Sequence, residues 1–417
     1  MAPFPHNSDD DPNEEILYDP NNEEGVYEEE EEEDVEVMTL NDNDEQPDLH
    51  EGIEELDFND LPEHDEEENG YIPDDSKMVF QQHDGSVFCI SSSPKDLNVV
   101  ATGGEDDKGY VWNVETGEIK FECDTHKDSV ISCGFSADGK YVMTADMAGT
   151  VIVRTVSDGK KVWDFDCSDI EWCVWHTTVH VLFAGTTDGD VYMWKVPSGD
   201  CKIYQGHGSK ALVGHLLDSG KEILVGYDDG SLKLWDLKNA TTVFQSKVED
   251  DAVLCVSSQK GGHLVACGTE AGTVKIFNSP AGKLLCTLTT PDVPRQSDDL
   301  EIAGMNIESI AFAPSEQYIA SGSLNGSLIV WDLATQRIRQ HCKHPSGVNG
   351  ILWPSCDEHV IITACLDGVI RKWNTRTGEL IKEFFGHREN ILDICLSTDG
   401  KLILTAGDDQ TARAFER

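Results

Sequence analysis

Basic residues are scarce in this sequence, and its first 76 residues contain none. That stretch holds 32 Asp and Glu, so it carries −32 of the net charge of −48 and leaves 47 acidic against 31 basic side chains in the rest. A field of that sign repels phosphate backbones and attracts basic protein segments, so no direct nucleic-acid binding is expected. No uncharged apolar run approaches the roughly 18 residues a bilayer-spanning helix needs, so no membrane insertion is expected. The opening M-A-P-F-P-H-N-S-D-D-D has no basic segment followed by an apolar run, and no secretory signal is expected. The 13 cysteines are odd in number and include no C-x-x-C pair, the spacing of many zinc and redox motifs. Cys89, Cys133, Cys255 and Cys395 fall in strand-like runs where a reduced thiol acts as a small apolar group, which points to a reducing, cytoplasmic compartment. A phosphate-binding glycine loop and a nucleophile elbow are also missing, so the expectation is no enzyme, no cofactor and no metal.

What is present is a repeat. Val225 to Asp236 reads V-G-Y-D-D-G-S-L-K-L-W-D: a strand end, an acidic tight turn with Gly, then an alternating run closing on an aromatic. The closing position recurs at Trp112, Arg154, Trp194, Trp235, Phe277, Trp331, Trp373 and Phe415, at intervals of 40 to 42 residues apart from one of 54. Self-similarity of about 40 to 45 residues with four short strands per unit marks a β-propeller of WD repeats, and eight matches predict eight blades. The fold class is therefore all-β, with residues 76–417 as the propeller and the resemblance to the WD-repeat family running over 78–417. Residues 1–75 combine low hydrophobicity, high charge and scattered Pro, the composition of a disordered acidic tail. The last unit ends after its Trp-type strand, so its outer strand is expected from 78–82, which would pair onto the last blade and close the ring.

His83, His126, His207, His344 and His387 sit near unit starts. The WD resemblance implies that such a His joins a Ser or Thr, the turn Asp and the Trp in a structural tetrad: His83, Thr102, Asp106 and Trp112 in unit 1, and His344, Thr363, Asp367 and Trp373 in unit 7. Units 2, 5 and 8 put the tetrad in doubt, because Arg154, Phe277 and Phe415 replace Trp there and, in unit 2, Met147 and Ala148 stand where the turn acids belong.

Function is sought where residues break the repeat's own rule. The second position of the strand after the His loop reads Phe88, Ile131, Glu171, Leu212, Leu254, Glu308, Asn349 and Leu392, and five of these eight are large and apolar. An unpaired buried carboxylate costs several kcal/mol, so Glu171 and Glu308 are expected at the solvent-filled mouth of the channel. Trp172 is odd where the other units carry Cys89, Ser132, Val213, Cys255, Ser309, Gly350 and Asp393; it either fills a wider gap or anchors a cation. Glu105, Asp106, Asp228, Asp367 and Asp408 lie in turns of the same end, and together with Glu171, Trp172 and Glu308 they form the candidate partner-binding set. Asp158 belongs to a turn on the opposite face. The long interval places an insertion at Thr289 to Asn306, opening on the candidate face.

Four stretches go beyond generic WD grammar: T-G-G-E-D-D-K-G-Y-V-W at Thr102 to Trp112, H-K-D-S-V at His126, D-I-E-W-C-V-W-H at Asp169 to His176, and M-W-K-V-P-S-G-D-C-K at Met193 to Lys202. With the acidic tail they resemble the angio-associated migratory cell protein family. That resemblance implies a link to cell migration in animals. It also implies, through fungal relatives, a chaperone of a newly made, basic large-subunit ribosomal protein. The expected partner is a basic protein segment, such as the terminus of that protein, bound by a monomer. Two other roles are weighed: a cytosolic signalling scaffold, and a ubiquitin-ligase substrate receptor. For the latter, Trp235-Asp236-Leu237-Lys238 and Trp373-Asn374-Thr375-Arg376 come near the W-D-x-R box without matching it.

Overall fold

The structure, a computed structural model, describes residues 73–291, 305–315, 317–355 and 357–417. The tail reading falls almost wholly on residues outside these, as does most of the insertion. Among the described residues every regular element is a strand, and the strands form eight four-stranded antiparallel sheets. The innermost strands are Val87–Ser92, Val130–Phe135, Ile170–Trp175, Ala211–Leu216, Val253–Ser258, Ile307–Phe312, Val348–Leu352 and Ile391–Leu396. Each touches the next, and the last touches the first, so they line one closed channel.

The burial gradient within a blade follows from this arrangement. Second strands such as Val99–Gly104 and Val360–Cys365 are buried throughout, because sheet neighbours flank them and blades cover both faces. Outer strands such as Leu380–Phe384 are mostly exposed. The turn joining strands two and three needs a left-handed residue, supplied by Gly149, Gly189, Gly230, Gly272, Gly326 and Gly368. In blades 1 and 8 Asp107 and Gln410 hold the same conformation, at φ 59° and 63°. A Cβ at Gly189 would stand 2.1 Å from the Ser209 carbonyl oxygen of the neighbouring loop, so glycine also sets how closely turn and loop pack.

Ser76–Phe80 supplies the outer strand of blade 8, pairing antiparallel with Ala412–Glu416. The strand thus begins two residues earlier than 78–82, and Gln81 and Gln82 lie beyond it, exposed, on the way to His83. Phe80 is 2 % exposed and stacks on Trp112 of blade 1 at 4.4 Å between ring centroids. The folded unit also reaches past Ser76: Asp75 donates its N–H to the Phe385 carbonyl at 2.8 Å, and Arg413 donates to Asp74 at 2.8 Å.

Blades are stitched at the channel by one column of residues. Every innermost strand slips register at its second residue, a β-bulge, and in six of the eight blades the residue after it bonds to the neighbouring blade. Ser132 Oγ donates to the Cys173 carbonyl at 2.7 Å, Trp172 Nε1 to that of Ala211 at 2.9 Å, and Cys255 Sγ to that of Ile307 at 3.2 Å. Ser309 Oγ accepts the Ile351 N–H at 3.0 Å, and Asp393 accepts that of Ile90 at 2.9 Å. In blade 7 the stitching position is Gly350, and the preceding Asn349 does the work instead, donating Nδ2 to the carbonyls of Ile391 and Leu392 at 3.0 Å each.

Candidate functional site

The antiparallel meander brings two sets of connections to one end of the ring: the loops from each outer strand to the next innermost strand, and the turns between strands two and three. On this upper face Glu105, Asp169, Asp188, Asp228, Asp251 and Glu270 are exposed. Two of its few cations are taken, Lys108 by Glu122 at 2.7 Å and Lys127 by Asp166 at 2.8 Å. The opposite face alternates signs, with Lys95, Lys140, Lys221 and Lys401 among Asp96, Asp138, Asp218 and Asp399. Asp158 lies on that face, held by Thr155.

Glu171 and Glu308 are the bulge residues of blades 3 and 6, three blades apart at the upper end of the channel wall. All eight bulge residues are partly buried, so these two carboxylates stand in a ring otherwise formed by Phe88, Ile131, Leu212, Leu254, Leu392 and Asn349. Burial pushes the Glu308 carboxyl up, against a hydrogen bond from Asn306, and the nearby charge of Glu270 adds to the rise. The site therefore holds negative charge that is incompletely solvated and has like charge beside it, a state that an incoming cation relieves. Exposed apolar groups sit beside both acids. Met147, 48 % exposed, accepts the N–H of Ile170 on its carbonyl, and Met305 lies three residues before Glu308.

The other candidates divide. Glu105 and Asp228 are exposed, although Glu105 also accepts the Ser86 N–H at 3.0 Å. Asp408 accepts Asn390 Nδ2 at 2.8 Å. Asp106 is engaged in blade 1: His83 Nδ1 lies 2.9 Å from it and His83 Nε2 lies 3.0 Å from Thr102 Oγ1. Burial opposes ionisation of Asp106, but the bond and charge of His83 outweigh it and hold the carboxyl below its ordinary value. Asp367 receives a two-pronged pair from Arg371, at 3.1 and 2.8 Å, so its charge is answered within the chain.

The tetrads are corrected in three places. Trp112 belongs to the blade 1 core, but its Nε1 has no hydrogen-bond partner; the ring is held by Phe80 instead. In blade 7 Trp373 Nε1 donates to His344 Nε2 at 3.1 Å and His344 lies 3.0 Å from Thr363 Oγ1, but Asp367 is turned to Arg371, and His344 Nδ1 lies 3.3 Å from the Gly326 carbonyl. Blade 2 does form the chain put in doubt, with His126 3.1 Å from Asp146 and 2.8 Å from Thr144 Oγ1. Its acid is the last residue of the second strand, just ahead of the turn.

Trp172 is a further correction. It is 9 % exposed and packs between Gly185 of its own blade and Gly214 of the next, where an added Cβ would stand 2.2 Å from the indole in each case. Its ring is a core element and does not present a face to an incoming cation. Gly214 was the missed signal: the equivalent residues Ile90, Ile310, Ile351 and Ile394 are large, so Trp172 fills the volume that Gly214 leaves. Among the described residues no group of three or more His, Cys, Asp or Glu is placed to hold a metal.

The WD domain, G-beta repeat, matches residues 75–113, 117–154 and 200–236, and the Nucleolar protein 10-like, N-terminal domain, matches 243–415. Angio-associated migratory cell protein of Homo sapiens is 38% identical over 401 residues, covering 91% of this chain and 92% of that protein. Ribosome assembly protein SQT1 of Saccharomyces cerevisiae is 25% identical over 383 residues, covering 83% of this chain and 87% of its own length. Among solved structures, Chaetomium thermophilum Sqt1 bound to the N-terminus of the ribosomal protein L10 superposes with a TM-score of 0.73 at 27% identity, covering 83% of this chain and 100% of that one.

Proposed function

Since this chain belongs to the angio-associated migratory cell protein family of WD-repeat propellers, we propose that it is a non-enzymatic binding protein whose acidic upper face captures a basic segment of a newly made large-subunit ribosomal protein and holds it until assembly. The observation that carries this reading is the pair Glu171 and Glu308, carboxylates at bulge positions where five other blades place large apolar side chains. Low-dielectric walls around charge of one sign focus the field on a cation. The surrounding acids extend that field to attract and orient an Arg- and Lys-rich chain. The relative named as a ribosome assembly protein, and the related structure holding a ribosomal protein's N-terminus, support the choice of partner.

The protein would act as a cytoplasmic monomer. Cross-linking the full chain in cytosol, followed by mass spectrometry, tests this. A basic large-subunit ribosomal protein linked to the upper face is the expected product. A second reading, a scaffold for cell migration, is favoured by Val243, Leu284, Leu285, Ile338, Leu380 and Ile381, which are exposed on the outer strands of blades 4 to 7. Products linked only to those outer strands would select it.

A further inference from the structure

Gly350 leaves a gap in the stitching column, and the gap is a cavity. It measures about 190 Å³ in the channel wall and is bordered by Ser309, Asn349, Ala364 and Asp393 from blades 6, 7 and 8. Three oxygen-bearing side chains border it. Ser309 Oγ is engaged by the Ile351 N–H, which occupies one of its two lone pairs. Asn349 spends Nδ2 on two carbonyls, which leaves its Oδ1 outside both bonds. Asp393 accepts the Ile90 N–H on one oxygen at 2.9 Å and the Ile394 N–H on the other at 2.8 Å, about half of a carboxylate's capacity.

No cation among the described residues answers this carboxylate, whose burial raises it to about 6. A partly buried carboxylate without a counter-ion is costly, and a protein can do without it if stitching is the only need, as the neutral Ser132 and Ser309 do elsewhere in the column.

We propose that this cavity is a pocket for one lysine side chain of the captured segment. The ammonium donates its three hydrogens toward Asp393, Ser309 Oγ and Asn349 Oδ1, while Ile351, Leu392 and Ile394 cover its four-carbon stem. Lysine suits it better than arginine, since an ammonium can turn its three donors toward three separate side chains, whereas the planar fork of a guanidinium matches the two oxygens of one carboxylate. The inference rests on the basic-segment reading and assigns it a second, deeper contact that distinguishes lysine from arginine.

The probe is n-butylammonium, a lysine side chain without its backbone, titrated into the full chain while the Ile90 and Ile394 amide signals are followed by NMR, with n-butanol as the neutral control. The expected result is a saturable shift of both amides by the ammonium alone. It should be lost in Asp393→Asn and weakened in Ala364→Val, which narrows the cavity without touching the charge. No saturable shift in the wild type, equal shifts from both probes, or a response unchanged in Ala364→Val overturns the pocket, and the last criterion holds even if Asp393→Asn does not fold. The readout bypasses the upper face. A basic peptide that still binds through Glu171 and Glu308 while butylammonium fails would remove the pocket alone, and the converse would remove the upper-face reading alone.

Discussion

Asp393 of the eighth blade accepts the backbone N–H of Ile90 in the first at 2.9 Å, across 303 residues of sequence. The ring is thus sealed twice, at the channel by this bond and at the rim by Ser76–Phe80 on Ala412–Glu416. The inner seal places a carboxylate in a partly buried position, and stability should record it.

Burial raises Asp393 to about 6 from 3.8, so between about pH 4 and 6 the native state binds more protons than the unfolded one, and this group's contribution to stability falls as pH rises. His344 runs the other way. Burial and then the charge of Arg371 lower it to about 4 from 6.5, so the unfolded state binds more protons there and stability rises with pH. Asp393→Asn should therefore gain ~3 kcal/mol relative to the wild type between about pH 4 and pH 7. Urea unfolding across that range checks it, and a variant-to-wild-type difference independent of pH would contradict the assignment.

The rim seal predicts where truncation becomes harmful. Removing residues 1–73 should leave the melting temperature unchanged. Removing 1–75 takes away Asp74 and Asp75 and should lower it slightly, and removing 1–82 strips the outer strand and should prevent stable folding. Phe80→Ala alone should cost ~3–5 kcal/mol, because its ring fills the space against Trp112. Removing 1–73 also takes away most of the tail's negative charge, so capture of a basic peptide at low salt should slow more than release quickens. Stopped-flow mixing separates the two rates.

The repeat, the blade number and the unusual column containing Glu171 and Glu308 were legible because each rests on periodicity, which survives in one dimension. What escaped depends on neighbours that are distant in sequence. Asp146 completes the His126 chain from a strand end just before the turn, where no repeat rule places an acid. Asp367 was aligned correctly but turns to Arg371, a cation at a position where blade 1 has Tyr110 and blade 2 has Ile152. Asn349 looked like a third break in the apolar ring, yet it replaces the stitch that Gly350 cannot make, a compensation visible only once the blades lie side by side.

Trp172 and Gly214 give a direct test of such compensation. Trp172→Ala should cost ~3–5 kcal/mol by leaving a cavity between blades 3 and 4. Gly214→Ile, which restores the residue of four other blades, should be destabilising alone because its Cβ would stand 2.2 Å from the indole. Combined, the two should recover much of either loss, giving a favourable coupling energy of ~1–3 kcal/mol. Chemical denaturation of the four proteins measures it. Additive losses would mean that the two positions do not share the gap.

The upper face itself is tested by reversing its charge. Glu171 and Glu308 sit at equivalent bulges, partly buried, among apolar side chains, and Glu308 is pushed toward neutrality by burial and by Glu270. Lysine at either place replaces a site that favours a cation with one that repels it. Removing one partner of a desolvated charge pair costs ~2–5 kcal/mol, so Glu171→Lys and Glu308→Lys should each abolish measurable binding of an Arg- and Lys-rich peptide, with Tm close to the wild type's because the native side chains make few structural bonds. Glu308→Gln should weaken binding less, since it removes attraction without adding repulsion. Asp158→Lys makes the same charge change on the opposite face and is exposed, so it should lower affinity only slightly, and that small effect should vanish as salt rises. Calorimetry at two salt concentrations decides the matter: wild-type affinity in both lysine variants, or equal losses in them and in Asp158→Lys, would show that diffuse charge and not this pair of glutamates captures the segment.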